Sequence, residues 1–144
     1  MSSVSELVAL WSAARHAIAS VERQLDDALT RELGIPFTTY AVLCTIAELD
    51  DGSAEISQQH LADVLGLDKS SISRHLDAAV RAGQVSSAPS AQSRRSKSIA
   101  LTPLGRSTLA SAEVLVDELA GELELDGITG VTGFLRAIGD AAQG

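Results

Sequence analysis

In this 144-residue chain the stretch Asp68-Lys69-Ser70-Ser71-Ile72-Ser73-Arg74-His75-Leu76 carries the residues whose types and spacing most resemble chemistry. At 100° per residue, Ile72, Leu76, Ala79 and Val80 gather on one face of a helix, while Ser70, Ser71, Arg74, Ala78 and Arg81 lie opposite. A short, polar outward face suits the major groove of duplex DNA. Small side chains let the helix axis approach base edges, and an arginine beyond them can reach a guanine or a phosphate. A second cationic group, Arg94, Arg95 and Lys97, falls within four residues of the polar loop Ser90-Ala91-Gln92-Ser93-Arg94-Arg95-Ser96-Lys97.

The whole chain is acidic, at −8, which would normally repel phosphate. Its charge is segregated, however. Between Gly66 and Leu109 seven cations (Lys69, Arg74, Arg81, Arg94, Arg95, Lys97 and Arg106) stand against Asp68 and Asp77, a net of +5, and the remainder carries −13. Because salt screens surface charge beyond about 8 Å, a phosphate beside the basic segment would feel mainly that segment.

The elements that must hold these residues can be read from periodicity. Val4, Leu7, Trp11, Ala14, Ile18, Val21, Leu25 and Ala28 recur at steps of three and four, the seam of a long helix ending at Gly34-Ile35-Pro36. Its apolar length exceeds what a core of this size covers, which predicts a partner helix from a second copy of the chain. Thr38 or Thr39 is expected to cap a second helix through Val42, Leu43, Ile46, Ala47 and Leu49. Ser57 caps a third from Gln58 to Leu65, and Gly66 ends it. Asp68 caps a fourth reaching about Ala82, with Gly83 as a left-handed stop. Beyond Gly83 the period shortens, and Val85 to Pro89 with Ile99 to Leu101 reads as a hairpin. Thr102 caps a further helix with Pro103 in its first turn, running through Ala112, Leu115, Val116, Leu119 and Leu123. After a break near Asp126-Gly127 and Gly130, a last helix holds Val131, Phe134, Leu135 and Ile138.

The fold expected is therefore mainly α with a small β-wing: a winged helix-turn-helix core over 37–102, with dimerisation helices over 1–33 and 103–144, in one domain. Small Ala62 stands where the two short helices cross, Gly66 at their turn, and Ile72 beneath the second. The basic loop between the strands would reach the adjacent minor groove, where arginines meet enhanced negative potential.

Other chemistries find little support. No phosphate-cradling glycine loop, HExxH or nucleophile elbow occurs, so no catalytic residue and no enzyme is expected. His16, His60 and His75 are scattered over three helices, and His60 with Asp63 supplies at most two ligands, so no metal site is expected either. Cys44, the only cysteine, reads as a small buried thiol without a basic neighbour to activate it. No run reaches the roughly 18 apolar residues of a membrane span and no secretory leader is recognisable, which points to the cytoplasm.

Residues Leu61 to Gly105 carry a more specific pattern: Leu61-Ala62-x-x-Leu65-Gly66-Leu67, a serine-rich helix ending at Gly83, paired basic residues, then Leu101-Thr102-Pro103-Leu104-Gly105. In this order, behind a long first helix, the sequence resembles the MarR family of bacterial transcriptional regulators over nearly its whole length. The resemblance implies a homodimer bound to a pseudo-palindromic DNA operator and released by a small aromatic or anionic effector, with no resident cofactor. It further implies that Ser70, Ser71, Ser73 and Arg74, preceded by Lys69, face the major groove. Arg95 would enter the minor groove, Arg94 and Lys97 would contact phosphates, and Ser57 and Gln59 would add backbone contacts. Trp11, Arg15 and His16, with Tyr40, would line the effector pocket. Many relatives place an acidic residue before the wing arginines; here it is Ser93, leaving the wing without that orienting partner. The reading from another class is a winged-helix module that binds a protein rather than DNA.

Overall fold

Between Ser3 and Leu33 the chain contains neither glycine nor proline, and in the computed structural model that stretch is one helix, α1 (Ser3–Leu33). The structure describes residues 3–50, 52, 55–91 and 97–122. The helix stops where Gly34 turns to φ 68° and Pro36 is extended. Seven elements follow one another: α1, α2 (Phe37–Leu49), α3 (Gln58–Leu65), α4 (Lys69–Arg81), β1 (Val85–Pro89), β2 (Lys97–Leu101) and α5 (Pro103–Glu122). The expected break after α5, the last helix, and Arg94 and Arg95 lie outside the described residues.

The chain divides into two compact units, residues 26–115 and residues 1–25 with those from 116 onward. In the larger unit α2 is the central element: Val42, Leu43 and Ile46 have no solvent exposure. Around them Leu61 and Ala62 of α3, Ile72, Leu76 and Ala79 of α4, Val85, Ile99 and Leu101 of the hairpin, and Leu109 of α5 complete one aliphatic core. The strands pair antiparallel with Val85 opposite Leu101 and Pro89 opposite Lys97. Only Val85 of β1 is buried, and β2 turns Ile99 and Leu101 inward. Ile99 N also donates to Ile56 O at 3.1 Å, tying the hairpin to the link before α3.

Two expectations need correction. Neither Thr38 nor Thr39 caps α2. Pro36, with ψ 155°, starts the helix at Phe37, two residues too early for the Thr38 hydroxyl and three for that of Thr39. The Phe37 N–H, left without a partner inside α2, donates instead to Asp26 Oδ1 of α1, at 2.8 Å, and Thr39 is buried inside the first turn. Val80, expected on the inward face of α4, is 40% exposed, because it lies at the far edge of a seam centred on Ile72, Leu76 and Ala79.

In the smaller unit, α1 leaves its apolar seam open. Val4, Leu7, Val8, Leu10, Trp11 and Ile18 are all exposed, whereas Ala14 and Leu25 are buried. No helix among the described residues is long and apolar enough to cross a membrane.

Candidate nucleic-acid interface

The α3–turn–α4 unit is built by local caps. Ser57 Oγ accepts from His60 N at 3.1 Å, which satisfies one of the orphan N–H groups of α3. Gly66 closes α3 in the left-handed region at φ 65°, a conformation that a Cβ would strain, and Leu67 N returns to Ala62 O at 3.1 Å. Asp68 then opens α4. One of its carboxylate oxygens accepts from Ser71 N and from Ser70 Oγ, each at 2.7 Å. The Ser70 hydroxyl, followed by the Ser71 amide, holds this carboxyl below the usual carboxylate range. Gln58 Nε2 reaches Lys69 O at 3.4 Å, linking the starts of the two helices.

Buried Ile72, Leu76 and Ala79 leave Lys69, Ser70, Arg74, Ala78 and Arg81 exposed, while Ser71 and Ser73 are half-buried. After Lys69 the side chains of the first turns, Ser70, Ser71 and Ser73, are short and Arg74 projects beyond them, so the face meets the steric condition for entering a groove. Ser70 has its hydroxyl proton committed to Asp68, which leaves its oxygen lone pairs as acceptors. Gln59 is exposed, but its amide donates to Asp63 Oδ1 at 2.8 Å on the same helix. Lys97 is exposed at the start of β2. Arg106, counted in the basic segment, is neutralised by Asp50 at 2.9 Å.

Sequence reasoning missed three long-range contacts. Thr39 Oγ1 lies 3.1 Å from His75 Nδ1, joining α2 to α4. Burial, and then the neighbouring Arg74, push the His75 ring below its ordinary value. Glu55 accepts from the Ser90 hydroxyl and, at 3.1 Å, from Ala91 N, anchoring the end of β1 to the link before α3. Each pair is more than 30 residues apart in sequence, so no local pattern signals it.

In the smaller unit Trp11, Ser12, Arg15, His16 and Ala19 line an open groove of about 360 Å³. The Arg15 guanidinium stands 5.2 Å from the Trp11 ring centroid, within cation–π range. Tyr40 does not line this groove; it belongs to the larger unit, where its ring centroid is 6.1 Å from that of Phe37. Cys44 is half-buried, and burial followed by the Glu48 carboxylate pushes its thiol up. Among the described residues, no three His, Cys, Asp or Glu side chains come together as a metal site.

The family model that matches is that of the MarR family, over residues 33–96, the stretch holding α2, α3, α4 and β1. No curated protein matches the chain by sequence. Among solved structures, the transcriptional regulator BldR from Sulfolobus solfataricus is similar at TM-score 0.82 and 19% identity, covering 99% of each chain. A MarR variant from E. coli complexed with operator DNA is similar at TM-score 0.73 and 24% identity, covering 96% of this chain and 99% of that one. The M. tuberculosis transcriptional regulator MosR in complex with DNA is similar at TM-score 0.72 and 26% identity, covering 90% and 92%. These relatives are transcriptional regulators, and the mainly helical architecture with a two-stranded antiparallel sheet found in this structure matches their winged helix fold. The winged helix-turn-helix of this chain thus matches the MarR family model over residues 33–96 and shares its fold with solved MarR-family transcriptional regulators.

Proposed function

We propose that this protein is a homodimeric repressor that binds a pseudo-palindromic duplex operator and is released by a small aromatic or anionic effector. The observation that carries the reading is the outward face of α4: capped Ser70, then Arg74, Ala78 and Arg81, exposed above a fully apolar seam. On this reading Arg74 reads a base edge and Ser70 accepts a hydrogen bond from an exocyclic amino group of cytosine or adenine. Ser71 and Ser73 adjoin the same groove. Ser57 keeps a hydroxyl proton for a phosphate oxygen, while Lys69, Lys97 and the wing arginines Arg94 and Arg95 supply charge.

The open seam of α1 favours a second copy as its cover, so residues 1–33 and 103–144 are assigned to dimerisation. Two recognition helices then meet half-sites about 34 Å apart. The Trp11–Arg15–His16 groove offers a ring and two basic groups to an aromatic acid. An effector acts by binding better to the arrangement that mismatches the operator, and it shifts the equilibrium by no more than its differential affinity.

The test is duplex binding as a function of salt. Duplexes selected from a random pool should bind with log affinity falling against log salt at about −0.9 per phosphate contacted. Arg74→Ala should weaken the selected duplex by roughly 1–3 kcal/mol and relax preference at one position. Failure to bind any duplex at low ionic strength would overturn the regulator reading. Equal loss on selected and random duplex would reduce Arg74 to a phosphate contact.

A further inference from the structure

Helix α4 rests on the core through Ile72, Leu76 and Ala79. Such contacts hold the helix against the domain, but apolar burial is non-directional and resists rotation about the helix axis poorly. At 100° per residue, His75 falls at the border between that buried seam and the outward face carrying Ser71 and Arg74. At this border its Nδ1 meets Thr39 Oγ1 at 3.1 Å. A neutral imidazole has one ring nitrogen free to accept, and the threonine hydroxyl is a donor. The Thr39 side is itself held firmly: the residue is buried, and two positions earlier the Phe37 N–H is fixed to Asp26 Oδ1 at 2.8 Å. Two directional bonds therefore run from α1, through the first turn of α2, to the middle of α4.

We propose that the Thr39–His75 hydrogen bond sets the roll of α4 about its axis, making His75 a positioning residue for base readout by Ser70, Ser71 and Arg74. The inference rests on the DNA-binding reading above. Side chains reach about 5–6 Å from a helix axis, so a 1 Å slip at His75 is a roll of roughly 11°. The same roll displaces the longer Arg74 terminus by more than 1 Å, beyond the narrow distance range of a base-edge hydrogen bond. Phosphate contacts fix orientation without sequence information and tolerate such a shift. Loss of the bond should therefore cost discrimination rather than general affinity.

Two substitutions at each end test this, using the full chain, a duplex it selects from a random pool, and a random duplex of equal length at the same salt. Thr39→Val keeps the shape without the hydroxyl and should bind the selected duplex about 5- to 20-fold more weakly, with random-duplex affinity within about twofold of the parent. Thr39→Ser should restore discrimination. His75→Leu should repeat the loss, while His75→Asn, which places an amide oxygen near the Nδ1 position, should retain most of it. The His75 pair also covers the case in which Thr39→Val does not fold. Unchanged discrimination in His75→Leu, or equal loss on both duplexes, would overturn the positioning role. A parent protein that binds no duplex would overturn the DNA-binding reading and, with it, this one.

Discussion

Gly105→Ala separates intrinsic helix preference from tertiary packing, because the two predict opposite signs. Gly105 lies in the first turn of α5, where alanine in place of glycine would ordinarily gain about 1 kcal/mol. The structure opposes this. An added Cβ would stand 1.9 Å from the Gln84 carbonyl oxygen and 2.9 Å from its carbon, where ordinary contact begins at 3.4 Å. That oxygen cannot simply retreat, since it accepts from Thr102 N at 3.0 Å, and Gln84 N is held by Ala79 O at 2.9 Å. Thr102 is committed as well: its hydroxyl donates to Gly83 O at 2.5 Å and accepts from Gly105 N at 3.0 Å. The end of α4, the base of the hairpin and the start of α5 thus share one set of bonds.

Forcing them apart costs about 1–3 kcal/mol in overpacking and about 1 kcal/mol for a strained hydrogen bond. After the helix gain is subtracted, the net loss is about 1–3 kcal/mol. At this chain length that lowers Tm by roughly 3–10 °C. Thermal unfolding followed by circular dichroism, at equal protein concentration because association shifts Tm, measures it. Gly121→Ala is the control: it lies in the same helix with nothing within 4 Å of its added Cβ, and it should be neutral or slightly stabilising. A Gly105→Ala protein as stable as its parent would refute the packing argument.

Three further outcomes are expected. The His75 ring is held below its ordinary value of 6.5, so on acidification the unfolded chain takes that proton first and stability falls below about pH 6.5. His75→Asn should flatten Tm against pH in this window, and a parallel pair of curves would sink the assignment. The Asp68 carboxyl is held low by Ser70, so its contribution persists above its ordinary 3.8 and is lost only as pH falls through its lower folded value. Leu7 is 55% exposed on α1, so Leu7→Glu should leave the helical content unchanged. If a second copy covers this seam as proposed, the variant should sediment as a monomer and bind the selected duplex on the order of 10²-fold more weakly, as two linked half-site contacts become one. An intact dimer would move the interface elsewhere.

What the sequence made legible was local. Ser57 over His60, Asp68 over Ser71, and the left-handed Gly66 and Gly83 each act within about four residues, so spacing alone located the ends of α3 and α4. Thr102-Pro103-x-Gly105 was legible as a helix start, but the reason for its glycine was not, since the obstructing atom belongs to Gln84, just before β1 and some twenty residues away in sequence. The same distance limit explains the missed cap of α2. Two threonines stood where a capping residue was wanted, but Pro36 starts the helix before either of them, and its first N–H, that of Phe37, goes to Asp26 of the preceding helix. The released Thr39 was then free to turn inward, toward His75. A capping group supplied from another element thus changes what the nearby polar residue can do. Here an expected helix cap instead becomes a buried residue bonded to His75 of α4, the helix proposed to face DNA.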